Sequence, residues 1–404
     1  MIPVAEARQR ILADLPVMPA EQVGLNEALG RVLAEDVASR RTQPPLAVSA
    51  MDGYAVRAAD VAHVPASLNV VGAAPAGSPF AGEVSEGTAV RIFTGAPLPA
   101  GADAIVIQEH TERDGDTVVV KEGVAAGRYV RKAGLDFQTG DVLLNAGRVL
   151  NARDIGLAAA MNVPWLQVRR QPCVALLATG DEIILPGEEA GPSDIVSSNT
   201  FALDGLVRAC GGVPITLGIA ADNIASIRAH AAGAEGADIL VTTGGASVGE
   251  HDLVQEALGD VGLQVDFWQI AMRPGKPLIF GQLGSTPMLG FPGNPVSSMV
   301  CGALFLKPAL AAMLGMADVE PVFETAILGV DLKENDRRED YLRATLSHDG
   351  DGNRVATPFP VQDSSMFSRL AQADCLVVRA PQAPAAKAGD TVSYIALGGG
   401  LVGA

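Results

Sequence analysis

The residues best suited to chemistry stand at turns that follow apolar runs. In ADILVTTGGASVGEHDLVQEAL a strand-like run enters a turn holding Gly244, Gly245, Ser247 and Gly249, and a helix-like run follows. Backbone N–H groups in such a turn, backed by a helix N-terminus, can meet an anion, and glycine permits close approach. Glu250, His251 and Asp252 come next. Carboxylates there repel a phosphate unless a cation bridges them, and an all-oxygen bridge suits Mg2+. The same residues serve equally as acidic helix caps, worth about 0.3–1 kcal/mol. VALLATGDEIILPG sets Gly180, Asp181 and Glu182 after another apolar run, and PITLGIAADN sets Asp222 after a third. Each alone reads as turn chemistry; several carboxylates on one rim of an open sheet favour a cation-assisted site.

MRPGKPLIFG offers Arg273 and Lys276 on a proline-stiffened loop, and LGFPGNPVSS offers Pro292, Gly293 and Asn294 in a turn entering a long apolar run. Fixed cations beside backbone donors suit an anionic ligand, while plain solvent exposure is the usual fate of isolated bases. Asp52 in SAMDGYAV and Thr94 in RIFTGAPLPAG occupy Gly- and Pro-rich turns, where turn chemistry is the ordinary reading. Asp136 lies close to Arg128, Arg131 and Lys132, a solvated face by default and a ligand rim in the alternative. P-loop, dinucleotide-binding, HExxH and G-x-S-x-G patterns are all missing from the sequence. The residues by themselves lead to a multidomain, Mg2+-assisted binder or transferase for a phosphorylated ligand.

Several kinds of element must hold these positions. Residues 1–45 and 145–171 form a helical and linking segment, with helical spacing in VAEARQRIL, LNEALGRVLAEDV and NARDIGLAAAMNV. Short alternating runs between 46 and 144 predict an inserted β-rich domain. From 172 to 318, strand-like and helix-like runs alternate (VALLATG, NTFALDGLVRACG, PITLGIAAD, IASIRAHAAG, ADILVTTGG, DLVQEALGD, PLIFGQL, PMLGFPG), which predicts an open, mainly parallel α/β sheet. Residues 319–404 return to alternation and predict a small C-terminal β-barrel. The apolar stretch Val296–Met316 is broken by Lys307-Pro308 and reads as a buried helix, not a membrane span. With 404 residues and a net charge of −17, the chain lacks the basic footprint of a nucleic-acid binder. The four cysteines are far apart and propose neither a zinc site nor a disulfide framework. No secretory signal opens the chain, so the cytoplasm is the expected compartment.

The motifs SAMDGYAV, RIFTGAPLPAGADAIV, LLATGDEI, TTGGASVGEHD, RPGKP and FPGNPVS, in this order, resemble the molybdopterin molybdenumtransferases, known as MoeA and as the E domain of gephyrin. The resemblance extends over essentially the whole chain and is weakest in the last segment. It implies a homodimer with its site between the α/β domain of one subunit and the inserted domain of the other. It also implies a reaction of adenylylated molybdopterin with molybdate, assisted by Mg2+, giving molybdenum cofactor and AMP. A molybdopterin adenylyltransferase and apo molybdoenzymes are implied partners. By the same carry-over, Asp52, Thr94 and Asp136 are site residues of the inserted domain, and Glu182, Asp222 and Asp252 bind the metal or orient the ligand. Ser247 and its neighbouring glycines cradle phosphates, and Lys276 and Arg273 neutralise charge. Asn199, Pro292, Gly293, Asn294 and Ser364 join the ligand site. Three positions depart from the family's pattern: Arg273 stands where Lys is frequent, Ser198 where Asp is, and Asp363 where Gly is. An adenylyltransferase and a non-catalytic scaffold on the same fold are the alternatives, and molybdate and tungstate are nearly matched in size and charge.

Overall fold

Helix α1 (Val4–Ala13) opens the chain and buries Val4, Ala7 and Ile11, the face expected from their spacing. The second run with helical spacing takes another course. Of LNEALGRVLAEDV, only Leu25–Glu27 winds, as a single 3-10 turn. Gly30 adopts φ +74°, a left-handed value that interrupts a helix. Val32 and Leu33 then pair with Val149 and Val168 as isolated bridges, so extended pairing overrides local propensity. The structure, a computed structural model, describes residues 1–245 and 253–398. The chain divides into two compact units, one of 1–35, 146–152 and 166 onward, the other of 36–145 and 153–165.

The second unit is built on a six-stranded sheet of β1 (Gly53–Val56), β2 (Ala66–Ala74), β3 (Thr88–Ile92), β4 (Ala104–Ile107), β5 (Thr111–Asp114) and β6 (Thr117–Val120). The spatial order is β4-β1-β3-β2-β6-β5, with β2 and β3 parallel. Tyr54, Val56, Leu68, Val106, Val118 and Val120 close one core, and Ala55, Val90, Ile92 and Ile105 another on the opposite face, as alternation requires. Helix α2 (Ala152–Ala160) follows, and Asn162 at φ 62° turns the chain out of it.

In the first unit, β7 (Cys173–Thr179), β8 (Val213–Ala220), β9 (Ile239–Thr243), β10 (Leu263–Gln269), β11 (Met272–Arg273), β12 (Pro277–Leu283) and β13 (Thr286–Phe291) alternate with α3 (Asn199–Ala209), α4 (Ile224–Ala231) and α5 (Leu253–Gly259). The sheet runs β8-β7-β9-β13-β12-β10. Its first four strands are parallel, while β12 and β10 join antiparallel. Strand β10 was not expected from the sequence, because LQVDFWQ mixes polar and apolar residues at an edge. Helices α1 and α3 with the Pro295–Met313 segment cover one face, and α4 and α5 the other.

The Pro295–Met313 segment consists of α6 (Pro295–Cys301), a π turn (Gly302–Leu306) and α7 (Lys307–Met313). Pro308 cannot donate an N–H and its ring crowds the carbonyl one turn back, and the wider π turn relieves both. The segment has the length and hydropathy of a membrane span, yet 72% of its apolar window is buried inside the protein, as expected for a core helix. The C-terminal strands β14 (Phe323–Leu328), β15 (Glu339–His348), β16 (Arg354–Pro358), β17 (Cys375–Arg379) and β18 (Thr391–Ala396) close into a barrel through the β15–β17 pairing. The short helix α8 (Phe367–Ala371) lies between β16 and β17 in the chain.

Gly53 shows why the SAMDGYAV motif needs a glycine. A Cβ there would lie 2.0 Å from the Val106 carbonyl oxygen, inside the β1–β4 ladder. Gly53→Ala is expected to cost about 2 kcal/mol or more through forced strand separation. Urea denaturation monitored on the isolated variant measures this, and an unchanged midpoint contradicts the close approach.

Candidate functional site

Strands β7, β9 and β13 end side by side, with Ala178 opposite Thr243 and Thr243 opposite Phe291. Their turns therefore leave the sheet at one level, beyond the carboxyl ends of parallel strands, where open α/β sheets bind ligands. A cavity of about 590 Å³ opens there, lined by Thr179, Gly180, Glu182, Asn199, Asp222 and Gly245 among others. Gly244, Pro292, Gly293 and Asn294 complete its floor and far wall.

Glycine is required at the base. Gly244 has φ +92°, and a Cβ on it would sit 2.4 Å from the Thr179 carbonyl oxygen. Gly245 has φ +65°, and its Cβ would meet Val254 at 2.6 Å. The expected role of the glycines as phosphate donors changes in two places. Gly180 N–H donates to Ala220 O at 3.2 Å, and Gly244 N–H to Phe291 O at 3.3 Å. Both donors are used within the sheet, so these glycines give space and not hydrogen bonds. Ser247, Gly249, Glu250 and Asp252 lie outside the described residues.

The cleft walls are tied by Asn199, at the start of α3. Its Nδ2 donates to Thr243 Oγ1 and to Gly293 O, each at 2.8 Å. Asn294 Nδ2 donates to Ser364 Oγ at 3.0 Å, and Val296 N–H to Ser364 O at 3.1 Å. Ser364 thus supports the FPGNP turn, while its neighbour Ser365 lines the cavity. Asp363, in the place of the family's glycine, accepts from Ser365 N–H and Oγ–H at 2.8 and 2.6 Å.

Asp181 and Asp222 are reciprocally bonded rather than both free. The Asp222 N–H donates to Asp181 Oδ1 at 2.9 Å. Burial is the main cause that raises the Asp222 carboxyl above the ordinary carboxylate range. The Asp181 N–H that it accepts pulls it down, and the charges of Asp181 and Glu182 push it up again. Among the described residues no group of three or more His, Cys, Asp or Glu converges as a metal cluster. Glu182 and Asp222 nonetheless line one cavity with oxygen donors only, a set that fits an ion such as Mg2+, which keeps waters and takes phosphate oxygens as further ligands.

Of the two expected cations, Arg273 is already engaged. Its guanidinium binds Asp340 and reaches Asp336 at 3.4 Å, both in the barrel segment, and Asp340 holds it more strongly charged than usual. It is not among the residues that line the cavity. Lys276 is half-buried, has no ion-pair partner among the described residues, and immediately precedes cavity-lining Pro277.

Asp52 and Thr94 come together in the other unit. Thr94 donates its N–H and its hydroxyl to Asp52 Oδ1 at 2.7 and 2.8 Å. The Thr94 N–H is the main cause that lowers the Asp52 carboxyl below its ordinary range, with Arg91 adding attraction. Arg91 also stacks over Tyr54 and Phe93 at 5.2 and 4.9 Å. Asp136 is exposed and its N–H donates to Gln43 O at 3.0 Å. Residues not singled out from the sequence also line the main cavity: Thr179, Ser197, Thr243 and Ser365. A signal existed for two of them, since Thr179-Gly180 and Thr243-Gly244 repeat one dipeptide at two strand ends. The Thr179 hydroxyl is buried without a hydrogen-bond partner among the described residues.

Comparison with known proteins agrees along the chain. Residues 2–162 match the MoeA N-terminal region (domain I and II), 175–312 a probable molybdopterin binding domain, and 325–397 the MoeA C-terminal region (domain IV). A molybdopterin molybdenumtransferase of Haemophilus influenzae is 35% identical over 97% of this chain and 98% of its own. One from Nostoc is 38% identical over 81% of this chain and 77% of its own. A molybdopterin biosynthesis MoeA protein of Pyrococcus horikoshii superposes with TM-score 0.87 at 30% identity, covering 99% of this chain and 100% of that one.

The raised Asp222 carboxyl gives a pH-dependent expectation. An acid whose folded-state value lies above 3.8 favours folding below that pH, and the advantage is lost as pH rises through the folded value. Asp222→Asn removes that loss. The variant should melt above wild type at pH 7, with the gap closing below pH 3.8, in calorimetric scans across that range. Identical melting at pH 7 would count against the desolvated carboxylate.

Proposed function

Since the chain belongs to the molybdopterin molybdenumtransferase (MoeA) family, we propose that the cavity beyond β7, β9 and β13 holds the phosphorylated pterin substrate during metal insertion. The protein is a transferase of molybdenum cofactor biosynthesis that inserts molybdenum into molybdopterin. In the finer reading, the substrate is adenylylated molybdopterin, molybdate supplies the metal, and AMP leaves as the pyrophosphate is cleaved. The observation that carries this is the meeting of three parallel strand ends at one glycine-floored cavity with Glu182 and Asp222 on its rim.

Each residue then has a physical task. Gly244 and Gly245 leave room for the phosphates against the backbone. Asn199 fixes the distance between the β9 and β13 turns through its two donated hydrogen bonds. Lys276 offsets negative charge that grows on the leaving phosphate and the oxyanion. Glu182 and Asp222 would hold Mg2+, which when bound supplies local positive charge against the pyrophosphate. No cysteine is needed, since the sulfurs that take the metal belong to the pterin, and Cys210, Cys301 and Cys375 are buried. Asp52 and Thr94, with Asp136, remain the second candidate group, and a homodimer acting in the cytoplasm belongs to the same reading. Adenylyl transfer to molybdopterin is not favoured, because the match to molybdenumtransferases runs through the inserted sheet and the barrel as well as the α/β sheet.

Single-turnover assays test this. Adenylylated molybdopterin incubated with the protein and Mg2+ should release AMP only when molybdate is added. Lys276→Gln should raise the molybdate KM by about 10-fold or more, the loss of a charge-assisted contact of roughly 1.5 kcal/mol. AMP release independent of molybdate contradicts the metal-insertion reading.

A further inference from the structure

The turn at residues 273–277 is held at both ends. On one side β11 leaves the α/β sheet and joins the barrel, with Met272 and Arg273 in register with Glu339 and Asp340 of β15. The Glu339 N–H donates to Ala271 O at 2.9 Å. The Arg273 guanidinium grips Asp340, whose side chain is only 5% exposed, and also reaches Asn335 Oδ1 at 3.3 Å. Asp340 Oδ1 is buried with no hydrogen-bond partner among the described residues, so Arg273 is the chief compensation they offer for that charge. Stripping a buried carboxylate of its cation is strongly unfavourable, which keeps the pair closed. On the other side the Ile270 N–H donates to Lys276 O at 2.9 Å, and Pro277 lines the cavity. Between them Gly275 has φ +106° and leaves no room for a side chain: a Cβ would meet Cys301 Sγ at 2.8 Å.

We propose that Arg273 is a positioning residue and not an anion ligand. Held by Asp340 of the barrel, it sets the turn that presents Lys276 beside the cavity, so the barrel governs anion binding without touching the anion. Arginine suits this task better than lysine, because its planar fork spans Asp340, Asp336 and Asn335 together, whereas an ammonium is a point. The proposal rests on the reading of the cavity as an anion site served by Lys276.

The experiment is molybdate-dependent AMP release by the full chain, with the thermal midpoint of each variant recorded alongside. Lys276→Gln tests the underlying reading: an unchanged molybdate KM overturns that reading whatever the other variants do. Where Lys276→Gln raises KM, Asp340→Asn is expected to raise it on the order of 5- to 20-fold, as Arg273→Gln does, with kcat within about twofold. The double variant should be no worse than either single one, the signature of two groups acting as one unit. Arg273→Lys, which keeps a cation opposite Asp340, should recover most of the affinity. A direct ligand behaves differently: Arg273→Gln raises KM, while Asp340→Asn leaves it unchanged or lowers it by freeing the guanidinium. That pattern, or fully additive effects, overturns the proposal. Should Asp340→Asn fail to fold, Asp340→Glu displaces the same carboxylate by one methylene. A wild-type KM in it, beside a raised KM in Arg273→Gln, is equally decisive against the positioning role.

Discussion

The site depends on how closely three strand ends approach one another. Thr179 at the end of β7 and Gly244 just past β9 are so near that a single methyl on Gly244 would overlap the Thr179 carbonyl. Because β7, β9 and β13 are in parallel register, their turns open at one height, and the cavity is the space those turns enclose. A one-residue slip would reverse which side chains face the helices and which face the opposite layer. The buried faces of both layers, with Val174, Leu176 and Val241 on one and Ala175, Leu177 and Leu240 on the other, forbid that slip. The hydrophobic layers thus set the register, and the register sets the cavity.

Charge is distributed with a similar economy. The chain is strongly acidic, with 29 basic against 46 acidic residues, so an anionic ligand must find one of few available cations. Arg273 is held by barrel carboxylates, and Asp222 is kept partly desolvated beside two other acids. An arrangement that holds like charges together, beside a lysine with no ion-pair partner among the described residues, is unfavourable for folding, and it persists where binding recovers the loss.

Much of this was legible in the sequence. The alternation of strand-like and helix-like runs reported the α/β sheet, and the period-two runs at either side reported the inserted sheet and the barrel. The turns carrying Gly180, Gly244 and Gly293 line one cavity, and glycine after an apolar run is what marks each of them in the sequence. The errors have physical causes. LNEALGRVLAEDV has helical spacing, but Gly30 and long-range bridges to Val149 and Val168 decide its conformation. Strand β10 lies at a sheet edge where alternation is weak. The engagement of Arg273 by Asp336 and Asp340 was not legible, because these partners are more than sixty residues away and only folding brings them together. Ser197 and Ser365 carry no spacing signal of their own, and only the folded chain places them at the cavity.

The interleaving of the two compact units has a consequence for biosynthesis. Helix α1 contributes Val4, Ala7 and Ile11 to a core completed by residues as late as Tyr341, Leu376 and Ile395. A nascent chain carries that amphipathic helix out of the ribosome long before its partners exist, while all six strands of the inserted sheet are present by Val120. The insert is therefore the first part able to fold as a unit during vectorial synthesis, and the N-terminal helix must wait exposed. Its polar face, with Glu6 and Arg10 paired one turn apart at 2.5 Å, helps keep the waiting segment solvated until the core arrives.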